Sequence, residues 1–230
     1  MSLKPAQISQ KNLQEIKKNI QKHSPTPQKV KIIAVTKTYN HTAILSALEN
    51  KIFNIGENKI QETKEKLEKK QKPKKLNIHL IGHLQSNKAK HAVKLYDVIQ
   101  TVDSIKIANK INQEAKKINK KQTIYIQINI SKNSKQKGIN PKETEKIIRE
   151  IQKLTNIAIK GMMAIGPNTK NKQTIIKAYK KIKKLKEKQE KKFNLKALEL
   201  SLGMSEDYKY ALQEGATIIR IGTKIFGKRK

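Results

Sequence analysis

Eight short apolar runs recur along the chain, separated by longer stretches in which apolar residues return every three or four positions. The runs lie at 31–36 (KIIAVT), 52–55 (IFNI), 77–82 (NIHLIG), 98–102 (VIQTV), 123–130 (TIYIQINI), 159–165 (IKGMMAI), 197–202 (ALELSL) and 217–222 (TIIRIG). Each is rich in β-branched residues and apolar on successive positions, as strands are when both faces of a parallel sheet are covered. The intervening stretches read as helices at 6–22, 42–50, 57–70, 87–95, 104–119, 141–154, 171–193 and 205–213. In 171–193, Ile175, Ile176, Tyr179, Ile182 and Leu185 fall at helical spacing. Pro141 suits the first turn of a helix, whose N–H has no internal partner. Pro25, Pro27 and Pro73 mark loops.

Strand and helix alternating eight times predict a single (β/α)8 barrel of TIM type covering 1–230. A doubly wound open sheet is the rival. It usually carries a glycine-rich turn after its first strand, where this chain has Val35-Thr36-Lys37-Thr38.

In such a barrel, chemistry sits where the strands end in βα loops. Small and polar residues cluster at those ends: Lys37, Gly56-Glu57-Asn58, Gly82-His83, Asn129 and Ser131, Gly166-Pro167, Ser201-Leu202-Gly203-Met204-Ser205, and Arg220-Ile221-Gly222-Thr223. Lys37 has two readings. It is a lysine whose stem lies along the barrel mouth with its charge in water, or a desolvated amine that forms an imine with a carbonyl. Ser201/Gly203 and Gly222/Thr223 favour the second, because the loops after strands seven and eight form the phosphate site of such barrels. An amine facing a phosphate site points to a phosphorylated aldehyde, pyridoxal 5′-phosphate (PLP). His83 reads equally as a general base or a structural loop residue. His23, His41, His79 and His91 make no metal-ligand spacing with a carboxylate. Met162-Met163 reads as barrel filling.

Charge adds a competing picture. The formal net charge is +34, which invites a nucleic-acid partner. Yet Arg149, Arg220 and Arg229 are the only arginines, and base-edge recognition favours arginine. The lysines are spread throughout, so they read as a solvated surface without specific nucleic-acid binding. The lysine-rich patch 64–75 reads as an exposed helix end and its loop. Absence of cysteine excludes disulfides and thiolate catalysis. No run reaches the roughly 18 apolar residues of a membrane helix, and the polar start argues against a signal peptide. A soluble cytoplasmic protein is expected.

Six segments, AVTKTY (34–39), IGENKIQE (55–62), HLIGHLQSNKAK (79–90), GMMAIGP (161–167), LSLGMSEDYKYAL (200–212) and IRIGTKIFGKR (219–229), resemble the pyridoxal phosphate homeostasis protein family in order and spacing. The resemblance implies the barrel of the alanine racemase N-terminal domain without that enzyme's C-terminal β domain, and therefore a monomer. It implies that Lys37 holds PLP as an imine, that Ser201, Gly222 and Thr223 cradle its phosphate, that Arg220 faces the pyridine nitrogen, and that Asn58 lines the mouth. Lys132 and Gln136 depart from the family pattern and bear on any partner read by that loop. The implied function is to hold, buffer or deliver PLP to apo-enzymes that use it, without catalysis. A slow PLP-dependent amino-acid racemase, with Tyr39 as a weak base, is the alternative, and a basic nucleic-acid-binding protein a further one.

Overall fold

The computed structural model describes residues 5–68, 72–131 and 136–227. Eight parallel strands close into a barrel in chain order: β1 (Lys31–Val35), β2 (Asn54–Glu57), β3 (Asn77–Leu80), β4 (Val98–Val102), β5 (Gln122–Gln127), β6 (Ile157–Met163), β7 (Glu199–Ser201) and β8 (Ile218–Ile221). Closure is made by β1, which sets Ile33 against Asn54 of β2 on one side and Arg220 of β8 on the other. The helices are α1 (Gln10–His23), α2 (His41–Glu49), α3 (Ile60–Glu68), α4 (Ala89–Leu95), α5 (Ile105–Lys116), α6 (Thr144–Ile151), α7 (Lys172–Phe193), α8 (Tyr208–Gln213) and α9 (Thr223–Phe226). Side chains of Ser9, Asn40, Ser104 and Asn171 cap the starts of α1, α2, α5 and α7 by accepting first-turn amides.

The expected elements are present, with shifted edges. The run at 52–55 becomes strand only from Asn54. The Ile52 amide donates to Ala47 O at 2.8 Å and Lys51 takes φ 58°, so Ile52 closes the turn out of α2. Glu57 is consequently still strand, and the helix expected over 57–70 begins at Ile60; residues 69 and 70 lie outside the described residues. Pro141 opens a 3-10 turn, Pro141–Glu143, capped by Asn140, ahead of α6. Among the described residues, no helix is long and apolar enough to cross a membrane.

Alternation along each strand separates two cores. Ile33, Val35, Tyr125, Met163 and Ile218 pack together inside the barrel. Ala34, Ile55, Ile78, Ile99 and Met162 face the helices. The two methionines thus divide: Met163 fills the interior and Met162 the outer layer.

Candidate functional site

Ile33 and Val35 point into the barrel, and two residues on, past the end of β1, comes Lys37. It lines a cavity of about 620 Å³ at the C-terminal mouth, together with Arg220, Gly222, Thr223, Ser205 and Asp207. Residues of β1, β8 and the loops after β6 and β7 meet there.

The turn that carries Lys37 is gripped from behind. Thr36 alternates outward, away from the cavity, and its Oγ1 donates to Glu57 Oε1 at 2.6 Å. Lys66 Nζ donates to Thr36 O at 2.8 Å, to Glu57 Oε1 at 2.7 Å and to Glu62 Oε1 at 2.7 Å. Glu62 Oε1 also accepts the Thr38 N–H. Thr38 has φ 70°, a left-handed conformation that costs a β-branched residue about 1–3 kcal/mol and persists only where neighbours enforce it. Burial raises the Glu57 carboxyl pKa, with Lys66 and Thr36 opposing, and Glu57 Oε2 is buried without a hydrogen-bond partner. The lysine-rich patch 64–75 is therefore not wholly surface: Lys66 is 2% exposed.

A second network runs down the barrel interior from Arg220. Its Nη1 donates to Ser201 O and Oγ, each at 2.7 Å, and its Nη2 to Ala164 O at 2.9 Å. Ser201 Oγ donates to Gln100 Oε1 at 2.7 Å. Gln100 Nε2 then donates to His79 Nδ1 at 3.0 Å, which leaves the imidazole proton on Nε2, 3.1 Å from Asn54 Oδ1. From Arg220 Nη1 the bonds run head to tail through Ser201, Gln100 and His79 to Asn54 at the start of β2. Burial drives the His79 pKa down to about 4, so the ring is a neutral link at pH 7. Burial also lowers the Arg220 pKa, opposed by Tyr179 and Asp207, but a guanidinium stays charged.

Asp207 braces the opposite wall. Its Oδ2 accepts from Tyr179 Oη at 2.6 Å and its Oδ1 from the Met204 amide at 2.6 Å. Burial, with the Asp207 charge, holds the Tyr179 phenol protonated. Gly166 fits against this pair because a Cβ there would lie 2.6 Å from Tyr179 Oη and 2.7 Å from Asp207 Oδ2. Gly203, at φ 83°, makes the turn after β7 that brings Met204 and Ser205 to the cavity.

The residues singled out in the sequence divide accordingly. Lys37, Arg220, Gly222 and Thr223 share the cavity wall. Ser201 does not: it is fully buried below, its hydroxyl held between Arg220 and Gln100. Ser205 lines the cavity instead, its Oγ accepting the Lys224 amide at 3.2 Å. The two serines lie four residues apart, Ser201 closing β7 and Ser205 in the loop beyond the turn at Gly203. Asn58 is half-buried outside the wall, its backbone packed where a Gly82 Cβ would be. His83 sits 3.4 Å from Asp103 and away from the cavity. Tyr39 Oη donates to Gly227 O at 3.2 Å and its ring packs on Phe226 of α9. Gln136 folds towards the loop after β6, its Nε2 donating to Ile165 O at 3.2 Å; Lys132 lies outside the described residues. Among the described residues no group of three His, Asp or Glu side chains could hold a metal ion. Glu57, Glu62, Lys66, His79 and Gln100 were not apparent as supports of the site from sequence, beyond the position of Glu57 at a strand end.

The alanine racemase N-terminal domain model matches residues 9–230. The pyridoxal phosphate homeostasis protein of Pasteurella multocida is 36% identical over 226 residues, spanning 96% of this chain and 97% of that one. The chain belongs to the pyridoxal phosphate homeostasis protein family. The family's human member is 35% identical over 214 residues, covering 86% of this chain and 76% of its own. Among solved structures, PipY of Synechococcus elongatus with PLP bound superposes with a TM-score of 0.84 at 30% identity, covering 94% of this chain and 99% of its own. Alanine racemase of Clostridium difficile shares the fold, with a TM-score of 0.74 at 21% identity; 97% of this chain covers 58% of that one.

Proposed function

We propose that this chain holds pyridoxal 5′-phosphate through Lys37 and serves as a carrier that buffers the cofactor or passes it to apo-enzymes. One observation carries the reading: a lysine amine, a fixed guanidinium and a loop of small and hydroxyl residues line one cavity. That donor set fits a phosphorylated aldehyde. PLP brings an aldehyde carbon that condenses reversibly with a primary amine, with loss of water. Lys37 Nζ is that amine. Gly222, Thr223 and Ser205 hold the phosphate, where a short turn offers backbone N–H groups and hydroxyls. Arg220 presents a positive charge that cannot accept a proton; facing the pyridine nitrogen, as the family resemblance implies, it would leave that nitrogen unprotonated and weakly electron-withdrawing, which suits storage better than bond-breaking at carbon. Ser201 acts through Arg220 and does not touch the anion. The PLP-bound relative at 30% identity supports the same reading.

Borohydride reduction followed by peptide mass analysis tests it. The pyridoxyl mass is expected on the peptide containing Lys37, and Lys37→Ala is expected to lose the visible absorbance of the lysine-bound cofactor while retaining weaker PLP binding. Label scattered over the other lysines in proportion to their number would defeat the assignment.

A further inference from the structure

Lys37 lies between two residues that are both held by one buried charge cluster outside the sheet. Thr36 gives its hydroxyl to Glu57 and its carbonyl to Lys66; Thr38 gives its N–H to Glu62; Lys66 joins the two carboxylates. Lys66 and Glu57 side chains are 1% and 0% exposed, and Glu62 is 12% exposed at the rim. Two hydrogen bonds therefore grip the peptide units on either side of Lys37 and a third holds the Thr36 hydroxyl, all from the helix side, while the side chain between them lines the cavity on the barrel side. An ordinary solvated turn needs no buried ion pair to close it, and a threonine at φ 70° relaxes unless something holds it.

We infer that Glu57, Lys66 and Glu62 are positioning residues for Lys37: they hold the Thr36–Thr38 turn in the conformation that presents the Lys37 amine to an aldehyde in the cavity. This rests on the reading of Lys37 as the PLP lysine. None of the three lines the cavity, so the cluster acts through the placement of one side chain. Glu57 and Lys66 form the buried core of the cluster, and removing either leaves an uncompensated buried charge. Glu62, at the rim, is the member that can be changed without that consequence. Its contribution to the turn is an acceptor for Thr38 N–H, which an amide oxygen at the same position supplies and a shorter or absent side chain does not.

The test compares wild type, Glu62→Gln, Glu62→Ala and Glu62→Asp. Each is titrated with PLP, read by the visible absorbance of the lysine-bound cofactor, and with pyridoxine 5′-phosphate, which lacks the aldehyde and reports the cavity alone. Thermal unfolding accompanies each variant. Glu62→Ala is expected to weaken PLP binding by about tenfold, the order of affinity that loss of one charge-assisted hydrogen bond ordering the turn removes, and to leave pyridoxine 5′-phosphate binding at the wild-type level. Glu62→Asp, which keeps the charge but shortens the reach of the one oxygen that accepts from both Thr38 and Lys66, is expected to follow Glu62→Ala. Glu62→Gln is expected to restore PLP binding. Equal loss for both ligands, or no loss of PLP binding in either shortened variant, would overturn the inference. Wild-type protein that forms no lysine-bound species would instead overturn the reading of the site, and the inference with it.

Discussion

Acidification tests the chain of hydrogen bonds beneath the site. His79 is 4% exposed and its pKa is held near 4 by burial, against an ordinary value of 6.5. Above pH 6.5 the imidazole is neutral in both folded and unfolded protein, and stability is unaffected by it. As pH falls below 6.5 the unfolded chain takes up a proton that the folded barrel refuses, so stability declines until the folded-state pKa near 4 is reached. The interval between the two values corresponds to about 3 kcal/mol, a large fraction of the roughly 5–15 kcal/mol that holds a domain folded. The assay is urea unfolding at a series of pH values for wild type and His79→Gln, which removes the titrating group and retains a donor and an acceptor. Taking the difference between the two profiles removes the contributions of other groups. These include the depressed carboxyl of Glu199, whose support is lost in acid, and the raised one of Glu57, which acts in the opposite sense. Between pH 6.5 and 4, wild type is expected to lose about 3 kcal/mol more than the variant. Protonation at Nδ1 also removes the acceptor for Gln100, the partner of Ser201 and Arg220; in the folded barrel this happens only as pH approaches 4, so PLP retention is expected to fall there and not nearer pH 6.5. Parallel stability profiles would refute the reasoning, since they would mean that the imidazole is not buried in a neutral form.

Two further outcomes follow from the geometry. Gly166→Ala places a methyl group between Tyr179 Oη and Asp207 Oδ2; calorimetry is expected to show a loss of about 1–3 kcal/mol, or several degrees in melting temperature, with weaker PLP binding from the displaced wall. If the lysine excess is a solvated surface, DNA binding in a salt series is expected to be weak, indifferent to sequence and steeply lost with salt; tight, sequence-selective binding at physiological salt would contradict that.

The barrel was legible because its signals are local. Eight β-branched runs at regular intervals mark strands whatever surrounds them, and the position of Lys37 at the end of the first identified it among many lysines. The Gly222-Thr223 turn and Arg220 followed from the same strand-end logic. Ser201 shows where that logic stops: two serines flank one glycine, and the positive φ of Gly203 determines which reaches the cavity. Lys66 shows it more sharply. Its neighbours in sequence are lysines and glutamates like those of any solvated helix, and nothing local separates it from them. Burial became possible only because Glu57 of β2 and the Thr36 carbonyl after β1 converge on its amine, joining Glu62 one turn earlier on the same helix. The same holds for His79, Gln100 and Ser201, which stand on three strands and become one hydrogen-bonded line only when the sheet closes. Local periodicity determined the fold, and strand-end chemistry singled out Lys37 as the amine proposed to hold the cofactor. The supports of that amine were decided by the tertiary structure, because a buried charge or polar group is stable only where partners remote in sequence satisfy it.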